Sequence, residues 1–200
     1  MAHSLTDFKS RLSGGGARPN LFEVIITNDD LPDGITSLDA DTFTYLCKAA
    51  QLPASNVASI DVPFRGRTFK VAGDRTFDTW TITVINDTDF AIRKTMEEWM
   101  QFVANYQEAS GGTNPDSYMA SAVVKQLGRL KSNIGEGQGN SRGQGLEAIA
   151  VYRFADIFPT NISAIDVSYD TTDTIEEFTV EFQVNYWYPE SKDGSSGNNA

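Results

Sequence analysis

The stretch Glu176-Glu177-Phe178-Thr179-Val180-Glu181-Phe182-Gln183-Val184-Asn185-Tyr186-Trp187-Tyr188 carries the clearest pattern in the chain. Phe178, Val180, Phe182, Val184, Tyr186 and Tyr188 fall on one face of an extended backbone, and Glu177, Thr179, Glu181, Gln183 and Asn185 on the other. That period of two defines a long strand with one buried face and one wet, acidic face. Similar runs at Leu21–Thr27, Thr42–Ala49, Val57–Phe64, Thr68–Ala72, Thr79–Asn86, Ser121–Leu130, Leu146–Phe154 and Ile162–Tyr169 read as further strands, separated by Asp-, Pro- and Gly-containing turns. One long helix is predicted over Phe90–Tyr106, where Ile92, Met96, Trp99, Val103 and Tyr106 repeat at helical spacing and Asp87 or Asp89 caps the first turn. A Trp and Met stripe of this kind is a core face rather than a cofactor site. The reading is a mainly β protein, a sandwich or barrel with one flanking α-helix.

Two hundred residues fill one core, and nothing central reads as an interdomain linker. Leu5, Phe8 and Leu12 give a short amphipathic helix after Ser4 or Thr6, so residues 1–16 form an N-terminal arm. Such an arm either frays or docks on its own domain or a neighbouring subunit. Residues 17–188 form the β domain, and 189–200 a polar, flexible tail. The Asp-rich segment 28–41 and the Gly-rich run 135–145 read as loops.

With hydrophobic residues at 40% and a net charge of -11, the chain should fold but is poorly suited to gripping phosphates. The last 45 residues concentrate the acids, with Lys192 as their single cation. The sole cysteine, Cys47, rules out an intrachain disulfide and suits a reducing cytoplasm. No signal-like or membrane-spanning run is expected.

Catalytic chemistry finds no foothold. His3 is the only histidine and lies in the arm, which removes His-dependent triads and His-rich metal sites. Cys47 lacks a histidine partner and reads as a structural thiol. The 135–145 run lacks the Gly-Lys-Ser/Thr of a phosphate loop, and no acidic cluster has calcium-loop spacing. The expectation is no catalytic residue, no metal and no cofactor.

The run Val71-Ala72-Gly73-Asp74-Arg75-Thr76-Phe77-Asp78-Thr79-Trp80-Thr81-Ile82-Thr83-Val84-Ile85-Asn86-Asp87 reads as a charged turn at Gly73–Asp78, with a local Asp74–Arg75 pair and Phe77 over the core, feeding a β-branched strand. It closely resembles a signature of the tail tube proteins of contractile-tailed bacteriophages. So do Ala17-Arg18-Pro19-Asn20-Leu21-Phe22, Cys47-Lys48-Ala49 with Leu52-Pro53-Ala54, Trp99, Phe158-Pro159-Thr160-Asn161-Ile162 and Tyr186-Trp187, in matching order and spacing. The segment 28–41 and the tail after Pro189 depart from the family pattern.

This resemblance implies the fold shared by phage tail tubes and type VI secretion tubes. It also implies hexameric rings that stack into a tube inside a contractile sheath, with baseplate and terminator proteins as partners. Double-stranded DNA would pass through the lumen without specific binding, and the protein would reside in the virion tail after assembly in the host cytoplasm. Phe64, Arg65, Arg67, Phe69, Gly73, Asp74, Arg75, Thr76 and Phe77 become candidates for contacts between subunits or rings. Asp166, Asp170, Glu177, Glu181 and Gln183 become candidates for the lumen wall. The competing readings are a type VI secretion tube and a monomeric acidic β-sandwich that binds a ligand.

Overall fold

A computed structural model describes residues 4–12, 16–26, 31–32, 34–35, 38–108, 110–131 and 146–190. The loop read at 135–145, the tail beyond Glu190 and parts of the 28–41 segment lie outside the described residues.

Strand β8 (Glu177–Glu190) sits inside a six-stranded antiparallel sheet ordered β1-β6-β7-β8-β5-β2. Its companions are β1 (Phe22–Ile26), β2 (Cys47–Ala50), β5 (Trp80–Ile85), β6 (Ala120–Lys131) and β7 (Leu146–Ile162). The alternation buries Phe178, Val180, Phe182 and Val184, and the register sets the first three opposite Val84, Ile82 and Trp80 of β5, and Val184 opposite Ile157 of β7. Trp80 stacks on Phe154 at 4.5 Å between ring centroids and lies 5.4 Å from Phe182.

Helix α3 (Ala91–Val103) covers this face with Ile92, Thr95, Met96 and Trp99. The Asp87 carboxylate accepts from the Ala91 amide at 3.0 Å and so caps the first turn. The two polar atoms carried into the core are satisfied. Trp99 Nε1 donates to the Tyr118 carbonyl at 2.8 Å, and the Thr95 hydroxyl to the Ala91 carbonyl at 3.0 Å. Arg93 ties the helix to the sheet, donating to the Ser163 carbonyl at 3.2 Å with its guanidinium 5.4 Å from the Phe178 ring centroid.

The sheet curls into a nearly closed barrel, with helix α2 (Ala40–Leu46) beside edge strand β1 and running directly into the other edge strand, β2. The Thr44 hydroxyl donates to the Val24 carbonyl of β1 at 2.9 Å. This corrects the strand expected over Thr42–Ala49. The β-branched and aromatic residues there read as strand, but the Asp39 carboxylate accepts from the Thr42 hydroxyl and Phe43 is fully buried, which favours a helical turn.

The strand expected over Ile162–Tyr169 is also corrected. β7 is instead one 17-residue strand that passes through Pro159 and stops at Ile162. Register breaks opposite β6 near Asp156 and opposite β8 between Pro159 and Asn161 let the chain accommodate a residue with no N–H donor. The first break also shifts which residues face inward. Asp156 adopts φ 54°, and in the paired β8 both Asn185 and Tyr186 are exposed. Trp187 takes the inward position, so the expected placement of Tyr186 and Tyr188 on the core face fails. These two rings stack on each other on the wet face, 6.3 Å apart.

The arm forms helix α1 (Leu5–Arg11), capped by the Ser4 hydroxyl accepting from the Asp7 amide at 3.1 Å. Leu5, Phe8 and Leu12 remain exposed. Among the described residues no helix is long and apolar enough to cross a membrane.

Candidate assembly surfaces

Strands β3 (Ser55–Phe64) and β4 (Arg67–Phe77) pair only with each other and project from the barrel as a two-stranded hairpin. Its turn is Arg65-Gly66, at φ 47° and 83°, the doubly positive geometry that a tight two-residue hairpin requires and that glycine supplies. Ten residues of β3 reach about 33 Å at the usual rise per residue.

Register and alternation give the hairpin two unlike faces. Ile60↔Val71, Val62↔Phe69 and Phe64↔Arg67 place an apolar row on one side, whereas Asp61↔Lys70 and Pro63↔Thr68 occupy the other. Lys70 bridges to Asp61 at 2.8 Å on that polar side. The apolar row is uncovered, with Phe64 and Phe69 each 66% exposed. Arg65 at the tip lies 5.5 Å from the Phe64 ring centroid.

Among the described residues the hairpin is anchored at its base. Phe77 meets Trp187 edge-on at 6.1 Å, Trp187 Nε1 donates to the Ala54 carbonyl at 3.2 Å, and the Asn56 amide donates to the Asp78 carboxylate. The turn expected at Gly73–Asp78 is therefore corrected, because Gly73 through Phe77 are strand. Val57 pairs with Arg75 but Ser59 with Ala72, leaving Gly73 and Asp74 together opposite Ala58 as a bulge. A Cβ on Gly73 would sit 3.1 Å from the Ala58 carbonyl oxygen and 3.2 Å from Ile60 Cγ1, so any larger residue would push the facing strand back by a few tenths of an ångström. The structure thus gathers the nine contact candidates on one projecting element. Composition had not revealed that Ile60, Val62 and Val71 complete an apolar face. The signal was present in the alternation of two runs flanking Arg-Gly.

The lumen candidates divide. Glu177, Glu181 and Gln183 share the wet face of β8, whereas Asp166 and Asp170 lie in the exposed loop of residues 163–176 between β7 and β8. That wet face is not uniformly acidic, as the sequence suggested. Lys48 pairs with Glu177 at 2.5 Å, Lys125 with Glu23 at 3.8 Å and Arg153 with Glu190 at 3.4 Å, cations brought in from neighbouring strands. The 163–176 loop exposes Val167, Tyr169 and Ile175 among its acids.

Cys47 is buried in β2, and desolvation pushes its thiol up to about 12, which makes it inert. Among the described residues no group of three or more His, Cys, Asp or Glu side chains could hold a metal ion.

The architecture is a nearly closed antiparallel barrel with α3 laid across its core and a hairpin reaching outward. The same fold occurs in a subunit of the anti-feeding prophage baseplate, at TM-score 0.56 and 9% identity over 88% of this chain and 97% of that one. It recurs in the sheath/tube terminator of the extracellular contractile injection system PVC, at TM-score 0.57 and 10% identity over 88% and 97%. The family model for phage tail tube proteins matches residues 17–190, and the chain belongs to that family. The tail tube protein gp19 of Enterobacteria phage T4 is 33% identical over 175 residues, covering 88% of this chain and 93% of the relative. The tail tube protein of Serratia phage KSP90 is 22% identical over 183 residues, covering 90% and 93%.

Proposed function

We propose that copies of this chain close into hexameric rings that stack as the inner tail tube of a contractile-tailed phage. The tube runs inside the sheath between baseplate and terminator, and serves as the conduit for double-stranded DNA. The chain folds in the host cytoplasm and resides in the virion tail. The observation that carries this reading is the uncovered apolar row of the hairpin. A two-stranded hairpin is marginal alone in water, so Ile60, Val62, Phe64, Phe69 and Val71 require a surface that one copy does not provide. Family membership makes another copy of the chain the natural source. Arg65, Arg67, Gly73, Asp74, Arg75, Thr76 and Phe77 then shape the same contact from its tip to its base.

The wet face bearing Glu177, Glu181 and Gln183 lines the lumen in this reading. Its interleaved charges suit passage of a polyanion, since acids repel phosphates at close range and the cations are already paired. Asp166 and Asp170 mark one end of that wall. Negative-stain electron microscopy of the purified chain, with and without baseplates and with light scattering alongside, tests the proposal. Six-fold rings or hollow tubes are the expected result. Chains that stay monomeric in the presence of baseplates would defeat it.

A further inference from the structure

The hairpin and the 163–176 loop stand at opposite ends of the barrel. β8 begins at Glu177 beside the loop and reaches the hairpin base at Trp187, roughly 33 Å further along the strand. The two ends also differ in charge. The hairpin carries Arg65, Arg67, Lys70 and Arg75 against Asp61 and Asp74, whereas no Lys or Arg occurs between Arg153 and Lys192. The loop, from Ala164 to Ser168 and from Thr174 to Glu177 with Thr171 between them, lines an open cleft of about 360 Å³. Around it Val167 and Ile175 are largely exposed and Tyr169 fully so, with Asp166 and Asp170 beside them.

We infer that the hairpin tip of one copy seats in the 163–176 loop of a copy in the next ring. Phe64 meets Val167, Tyr169 and Ile175, while Arg65 and Arg67 face Asp166 and Asp170. The inference rests on the stacked-ring reading above and deepens it by naming the receiving surface. Both surfaces are apolar at their centre and charged with opposite sign around it, the arrangement in which burial supplies affinity and charge supplies orientation and encounter rate. The contact is heterologous, because the two patches are different parts of the chain. It therefore leaves one free hairpin end and one free loop end after every addition, and the stack propagates with a fixed polarity.

Charge reversal in the full-length chain tests the pairing, with baseplate-seeded tube growth followed by electron microscopy and ring formation by light scattering. R65E/R67E and D166R/D170R should each leave rings intact and cut tube mass by about tenfold or more, and the chain carrying all four changes should regain most of it. If the fourfold variant stacks no better than R65E/R67E, or D166R/D170R alone stacks like the parent, the loop is not the receiver. The hairpin contact and the tube reading then still stand. Failure of the parent chain to form rings at all would overturn both. Cysteine cross-linking avoids dependence on charge-reversed chains, since Cys47 is buried and inert. R65C chains mixed with D170C chains should yield mixed disulfide dimers in tubes. Exclusive self-pairing of R65C would overturn the proposal.

Discussion

At the residue scale, stability and assembly depend on different positions. Trp99 is fully buried between α3 and the sheet, 5.9 Å from Phe182, with its indole nitrogen satisfied by Tyr118. Trp99→Ala should cost about 3–5 kcal/mol, because it opens a large cavity and leaves the Tyr118 carbonyl unpaired; urea denaturation measures it. Gly73→Val should behave in the opposite way. The added side chain collides with the Ala58 carbonyl and Ile60, but the hairpin lies outside the core, so the melting temperature should stay near that of the parent while tube formation fails. Cys47 gives a pH prediction with a definite sign. Its thiol is raised from 9.0 to about 12 by burial, so the neutral form favoured in the folded chain contributes stability that is fully present below pH 9 and is lost as pH rises toward 12. Native protein should resist thiol reagents at pH 8 and react in urea. Cys47→Ala should flatten the alkaline part of the stability profile.

At the element scale, the hairpin should be the least protected part of the isolated chain. It has no third strand and no packed face, so its amides should exchange with solvent within seconds in monomers and become protected in tubes, as hydrogen exchange with mass spectrometry can follow. Legibility in the sequence varied between elements for physical reasons. β5 and the first half of β8, through Val184, could be read because each buries one face against a continuous core, so period two survives there. α3 could be read from its apolar stripe and from Asp87, although its end at Val103 leaves Tyr106 exposed outside it. α2 could not, because seven residues span too few turns to show helical period, and their β-branched side chains point to strand. The end of β7 was hidden by Pro159, usually a strand breaker and here housed beside a bulge. The contact candidates were named as a set of residues through family resemblance, but the bulge at Gly73 was mistaken for a turn. Glycine signals both, and pairing with a distant strand decides between them. The cations on the wet face of the sheet were not foreseen because Lys48, Lys125 and Arg153 reach it from three different strands.

At the scale of the whole molecule, the barrel is self-sufficient and its attachments are not. The core unites β1, β5, β6, β7, β8, α2 and α3 in one apolar cluster, so truncating the hairpin should leave a folded barrel. Replacing residues 58–72 by a short Gly-Ser turn should therefore give a soluble chain with native-like circular dichroism that neither grows tubes nor joins those of the parent. Loss of the circular dichroism signal would instead show that the hairpin is needed for folding. The exposed pairs across the wet face are each worth little in isolation, about 0–1 kcal/mol. Reversing Lys48 alone should accordingly leave stability nearly unchanged, as urea denaturation would show.

The marginal hairpin also bears on when tubes form. A segment that is ordered only against a neighbour loses most of its conformational freedom at the moment of docking, and the first two rings must bear that loss without the support that later rings find in place. Spontaneous polymerisation should consequently show a lag that lengthens steeply on dilution, and a preformed end should abolish it. In the proposed assembly, a finished baseplate would supply that preformed end, so the start of growth would be set by the template rather than by the concentration of chains.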